Sequence, residues 1–350
     1  MGKHRAIALA LGVTLGVSGP CVADAAETDP AYAVVGEIPG AGGAWDYTVI
    51  DPGSGRLYVA QQGVTALDLN TRQLVTGLVA GGTTHGIAPL GDGRVAVTDS
   101  ASKTITVFAG ATGAVLARIS TDHDAPTSGR HALDALVLEP KSGLLAAVSG
   151  ESDVLLLADA GQARIVGTVP LGGAPEYAAA DGAGTVFVNV SSGKASEIVA
   201  VDVPGRRVAR RMALDGCEDP TGLAYDADDG WLISACRNGL AKVLQADSGR
   251  SVASLAVGRG ADAVLLDSKR RRAFVPAGVD GTLSVIALHG ASDVAVVQTL
   301  ATRQGARLGA VDVATGRLYL PTAEFVPPVS PGSRPTLVPG TFKILVVAPE

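Results

Sequence analysis

The sequence is short of the residues that fill most large cores. Only 4% of its 350 residues are aromatic, two of them tryptophan and five phenylalanine, so Val, Leu, Ile and Ala must pack the interior. Cysteine occurs three times, at Cys21, Cys217 and Cys236, with no CxxC pair, which is too little thiol for a thiolate metal centre. No window sustains a helical period, and beyond residue 17 no apolar run is long enough for a membrane helix. No membrane insertion is therefore expected. GxSxG, HExxH and the phosphate-binding Walker pattern are all missing. Neither sign of charge dominates: 28 Lys and Arg face 34 Asp and Glu, a net charge of −6 with no general attraction for nucleic acid.

What is present begins with an export signal. Lys3 and Arg5 precede an apolar run from Ala6 to Val17, and Ala23-Asp24-Ala25 fits the small-x-small cleavage rule. Residues 1–25 are read as a signal peptide and 26–350 as a single mature domain, periplasmic or secreted. Pro20 makes Cys21 a poor lipoprotein site. Loss of the leader leaves Cys217 and Cys236, an even pair in an oxidising compartment, and a disulfide is expected between them. A mature chain of about 325 residues exceeds the usual single core, so several domains or a repeat array is required.

A repeat is visible. Gly55-Arg-Leu-Tyr-Val aligns with Gly93-Arg-Val-Ala-Val, Gly143-Leu-Leu-Ala-Ala, Gly184-Thr-Val-Phe-Val, Gly230-Trp-Leu-Ile-Ser, Arg271-Arg-Ala-Phe-Val and Gly316-Arg-Leu-Tyr-Leu. Only the sixth copy lacks the turn glycine. An apolar strand precedes each turn, and a polar loop, a third strand, a second turn and a fourth strand follow. Four antiparallel strands repeated at this spacing predict an all-β, seven-bladed β-propeller. The seventh copy ends after three strands, whereas Tyr32–Ile38 has no blade of its own. This N-terminal strand is expected to close the last blade and remove the open edge.

The run Asp-Pro-x-x-Gly-Arg-Leu-Tyr-Val at residues 51–59, with an apolar strand ending in Asp and then x-Thr-Gly, resembles the YVTN-repeat, YncE-like family. The segments GCEDPTGLAYD, DGTLSVI, LYLPTAEF and PGTFKILVV carry the likeness over residues 30–350. The resemblance implies an exported bacterial seven-bladed propeller and leaves the biochemical role open.

In such a fold the residues just before each innermost strand share one face, called here the top, with the loops after each second strand. Asp46, His85, Asp134, Glu176, Glu218 with Asp219, Asp262 and Arg307 occupy those positions. They predict a polar ring at the mouth of the central channel, needing water, a cation, a ligand or one another. Trp45, beside Asp46, and Glu324, in the proline-rich loop from Pro321 to Gly340, are further candidates for contacting a ligand. Three readings follow. The first is a non-catalytic site for a small molecule or peptide, built from Trp45, Asp46, His85, Asp134, Glu176, Glu218, Asp262, Arg307 and Glu324. The second is a metal-dependent lactonase or esterase, with Asp46, Asp134, Glu176 and Asp262 holding a divalent cation and His85 as base. The third is a scaffold for protein or nucleic acid, through the basic runs at residues 204–211 and 268–272. Those runs lack interleaved aromatics and suit solvated edges, so no nucleic-acid partner is expected. A monomer with no catalytic residues is the expectation, and Asp226–Gly230, which has calcium-loop-like composition, is read as a turn.

Overall fold

Each turn of the repeat, closed by glycine in six copies and by Arg271 in the other, makes a hairpin, and the seven hairpins grow into seven four-stranded antiparallel sheets in the computed structural model. The structure describes residues 1–2, 30–40, 42–121, 133–150, 152–193, 195–290, 293–326 and 335–350. Ala31–Glu350 form one unit; Met1–Pro30 are a separate one, and the expected leader lies outside the described residues. No helix occurs among the described residues.

Blade one comprises Thr48–Asp51, Arg56–Gln61, Gly63–Asp68 and Leu74–Ala80. Blades two to six follow the same order, their innermost strands being Thr84–Pro89, Leu133–Glu139, Ala174–Ala180, Pro220–Asp226 and Leu265–Asp267. Blade seven runs outward from Ala310–Asp312 through Arg317–Thr322 and Lys343–Pro349 to Tyr32–Pro39. The N-terminal strand is therefore the outer strand of the last blade, paired antiparallel from Tyr32 opposite Pro349 to Pro39 opposite Lys343. Tyr32 is buried and meets Phe274 of blade six edge-on, at 4.9 Å between ring centroids. Each innermost strand contacts the next, and the seventh returns to the first.

The repeat acid has a local role. At the end of the first strand it caps its own turn. Asp51 accepts from the Gly53 N–H and the Ser54 hydroxyl, Glu139 from the Lys141, Ser142 and Gly184 N–H groups, and Asp312 from the Ala314 N–H and the Thr315 hydroxyl. These acids satisfy turn donors that a strand end leaves free. They lie at the opposite end of the blades from the ring.

The basic runs are absorbed in the same way. Arg207 pairs with Asp202, Arg211 with Glu197, and Arg210 donates to the Ala246 carbonyl of the next blade. Arg270 pairs with Asp267 and donates to the Val313 carbonyl. Arg271 stands where the other copies have glycine, at φ 53°, and pairs with Asp226, Asp228 and Asp229 of blade five. The Asp226–Gly230 segment is thus a turn, closed by an arginine.

Cys217 and Cys236 form the expected disulfide, with Cα atoms 5.4 Å apart. It ties the start of blade five to the end of its second strand. Closing a loop of about 20 residues stabilises by about 3 kcal/mol in the chain-entropy treatment. The Cys217→Ser/Cys236→Ser double variant is expected to lose about that much, read as a lower denaturation midpoint with a slope no smaller than the parent's, since the unfolded chain is freed; an unchanged midpoint refutes it.

Candidate functional site

Four of the seven inner strands begin with an irregularity that aims side chains at the axis. Pairing with the second strand shifts register between Thr84 and Ile87, Leu133 and Leu136, Pro175 and Ala178, and Pro220 and Gly222. His85, Asp134, Glu176 and Thr221 lie inside these bulges. A bulge leaves backbone groups unpaired and redirects its side chain. Buried side chains of the second strands satisfy those groups. The Thr98 hydroxyl accepts from the Gly86 N–H at 2.8 Å and donates to the Asp134 carbonyl at 2.9 Å. Asn189 donates to the Gly222 carbonyl at 2.9 Å and accepts from Ser234 at 3.0 Å. Gly86 and Gly222 allow the inner strands to approach this closely. A Cβ at Gly86 would lie 2.4 Å from the Leu136 nitrogen, and one at Gly222 2.5 Å from the Ala263 carbonyl carbon.

The result is an axial well of about 190 Å³, lined by Asp46, Tyr47, His85, Asp134, Glu176, Thr221, Arg237, Asp262, Arg307 and Leu308. Six of the nine sequence-predicted site residues are there. Three are not. Trp45 is 5% exposed and packs on Phe342 and Phe325, with centroids 5.4 and 6.1 Å away. Its ring lies 6.0 Å from the Arg307 guanidinium carbon, so it supports a well residue from behind. Glu218 and Glu324 are exposed and outside the well. Glu218 instead offers its backbone carbonyl to the Arg237 N–H, beside the disulfide.

Arg237 and Thr221 were not among the predicted site residues. Arg237 directly follows Cys236, and that position at the end of a second strand, on the top face, is the signal for it. Nothing in the residue type marks Thr221, whose hydroxyl donates to the Ala261 carbonyl at 2.7 Å.

The well has two electrostatic halves. On one side the Asp46 carboxylate meets His85 Nδ1 at 2.5 Å. Asp46, His85 and Asp134 each present a ligand atom within 4.8 Å of the others, the expected candidates Asp46 and Asp134 among them. Glu176 and Asp262, also expected as metal ligands, stand outside this group. No hydrogen bond or ion pair reaches the Asp134 carboxylate from the described residues. Burial, then the charges of Asp46 and Glu176, push this carboxyl well above the usual carboxylate range. Burial likewise raises Glu176, followed by the charge of Asp262, with Arg237 opposing. For His85, burial disfavours the imidazolium, but the Asp46 hydrogen bond and the Asp46, Asp134 and Asp99 charges together outweigh it, and its pKa is raised.

On the other side Arg307 Nε donates to Asp262 Oδ2 at 2.7 Å, and an Arg237 amino nitrogen stands 3.8 Å from Asp262 Oδ1. Burial raises the Asp262 carboxyl against the pull of both arginines. Tyr47 and Tyr177, 5.0 Å apart, lie beneath, and the Tyr47 hydroxyl donates to the Glu176 carbonyl.

No family model matches this sequence, and no curated protein does. By shape the chain is similar to one titled Kuenenia stuttgartiensis Hydrazine Synthase. The TM-score is 0.66 over 78% of this chain and 91% of that one, at 12% identity. At that identity the likeness concerns the propeller fold.

Proposed function

We propose that this chain is a non-catalytic binding propeller whose axial well holds a positively charged centre, with a divalent first-row cation between Asp46, His85 and Asp134 as the form that suits the donors best. The observation that carries the reading is the Asp134 carboxylate: it is unpartnered, set among other acids, and within 4.8 Å of a carboxylate and an imidazole. A cation there offsets both the burial and the repulsion that raise Asp134. Two carboxylates with one imidazole suit zinc or manganese better than calcium, which prefers six to eight oxygens. Glu176 lines the same well and adds negative charge there. The disulfide and the resemblance to exported YVTN-repeat, YncE-like propellers support a periplasmic or secreted setting.

The test is calorimetric titration of the purified chain with Zn²⁺, Mn²⁺ and Ca²⁺, alongside the Asp46→Ala/His85→Ala variant. Saturable single-site binding of zinc or manganese that the variant loses is expected. Absence of binding by all three ions, or binding that survives in the variant, overturns the reading.

A metal-assisted ester or lactone hydrolase is the second reading, favoured by one observation. Asp46 engages His85 at Nδ1, an arrangement that orients an imidazole as general base. Metal-loaded protein that hydrolyses a lactone or p-nitrophenyl ester, and stops when His85 becomes Gln, would move the assignment there. The scaffold reading has less support, since Arg207, Arg210, Arg211, Arg270 and Arg271 of the basic runs have partners within the fold.

A further inference from the structure

A second cavity on the top face adjoins the well and differs from it in chemistry. It encloses about 820 Å³ between the loops of blades six and seven, against the short ribbon formed by Phe325–Val326 and Thr336–Leu337. Val279, Phe325 and Pro335 give it an apolar wall, and Gly260, Gly278 and Gly305 lie along it without side chains. The space depends on those glycines. A Cβ at Gly305, whose φ is 84°, would meet the Phe325 ring at 2.3 Å, and one at Gly278 would meet Arg307 Cβ at 2.9 Å.

Arg237, Asp262 and Arg307 line both cavities. They are the only charged residues of the second one among those described, so its polar end carries two guanidinium groups against one carboxylate. Arg307 takes that carboxylate at 2.7 Å. Arg237 stands 3.8 Å away with its side chain 55% exposed, so its planar fork of donors is largely uncommitted. Asp46, Asp134 and Glu176 line the well and not this cavity. An apolar body ending in an arginine whose donors make no side-chain hydrogen bond among the described residues is complementary to an apolar molecule with a single anionic head.

We propose that this cavity binds a small carboxylate with an apolar body, its carboxylate on Arg237 and its hydrocarbon against Val279, Phe325 and Pro335. The volume falls in the range of sites that enclose small molecules. Val279 is 56% exposed and Phe325 partly so, and a bound hydrocarbon would take both from water. Arg237 would answer a carboxylate with two parallel N–H donors, which a neutral amide of the same length could not engage as strongly. The inference extends the binding reading to a second ligand and does not require the cation.

The probes are decanoate, decanamide and decylamine, titrated by calorimetry into the full chain. Decanoate is expected to bind at least about 10-fold more tightly than decanamide, and decylamine more weakly than either. Arg237→Gln should abolish the preference of decanoate over decanamide, weakening decanoate at least about 10-fold more than decanamide. Val279→Asp should weaken both about 10-fold or more. Equal affinities for decanoate and decanamide in the unaltered protein, no binding of any probe, or decanoate binding indifferent to Val279→Asp would each overturn the proposal. Asp134→Asn keeps the two claims apart: it should remove cation binding and leave decanoate binding intact. Loss of both would mean that the two cavities act as one site, against the independence claimed here.

Discussion

Replacing Asp134 by asparagine is expected to raise the melting temperature of cation-free protein at pH 7.5 and to weaken zinc or manganese binding by at least about 100-fold. Both effects have one cause. The native carboxyl is held well above its usual range by burial and by Asp46 and Glu176, and no donor compensates it. Its ionised form therefore destabilises the fold. Asparagine keeps the shape and removes the charge, a gain of about 1–2 kcal/mol for an unpaired, partly buried group. The same charge is what a cation needs, and losing even a group that supports a metal ligand costs 10–100-fold in affinity.

The pH dependence has a definite sign. Asp134, Glu176 and Asp262 have raised folded pKa values, so as pH rises above the ordinary carboxylate range the unfolded chain ionises first, and folded stability falls until pH passes the folded values. His85, also raised, contributes stability that is full below its unfolded value near 6.5 and is lost as pH rises through the folded one. Both trends run downward with pH. Asp99, Glu139 and Asp159 have lowered values, and their contribution is lost in strong acid, as pH falls through them. Cation-free protein should thus be most stable in mild acid and lose stability toward pH 8. A flat or rising profile from pH 5 to 8, or an Asp134→Asn variant with the slope of the parent, refutes this account of the well.

The seven blades were legible because the copies share a local chemistry: an acid at the first turn, a left-handed residue to close it, glycine in six of the seven, and β-rich flanks. The closing strand was legible as a remainder, since three strands at one end and one at the other make a blade. The ring was partly legible. His85, Asp134 and Glu176 reach the axis because bulges re-aim them, and the polar residue at each strand start was enough to locate them. Side-chain direction is not written in a repeat, however. Trp45 and Asp46 are neighbours, yet one turns into the core behind Arg307 and the other into the well. Glu218, after the buried Cys217, stays exposed, whereas Arg237, its neighbour across the hairpin, lines the well. Tertiary packing chose between adjacent polar residues, and the sequence pattern treats them alike.

Arg271→Ala is expected to be the most destabilising single substitution outside the apolar core, at about 3–5 kcal/mol. Asp226 is fully buried, and its carboxylate oxygens both lie 3.0 Å from Arg271 Nη1, which also reaches Asp228 at 3.1 Å. Burial raises the Asp226 carboxyl, and Arg271 is the largest influence holding it down. Alanine leaves that carboxylate without its partner and keeps a β-carbon at φ 53°, a conformation that costs an L residue about 1–2 kcal/mol. Arg271→Gly restores the residue type of the other six turns and should recover that backbone part alone. Arg271→Gly with Asp226→Asn removes the orphaned charge as well and should return most of the lost stability. Denaturant midpoints of the three variants at pH 7.5 and pH 5 separate the contributions, because a carboxyl already raised by burial, and raised further without Arg271, takes up a proton more readily as pH falls, which should narrow the gap between the Ala variant and its parent. Equal losses in the Gly single and Gly/Asn double variants would show that the glycine-free turn of blade six is not held by the buried ion pair.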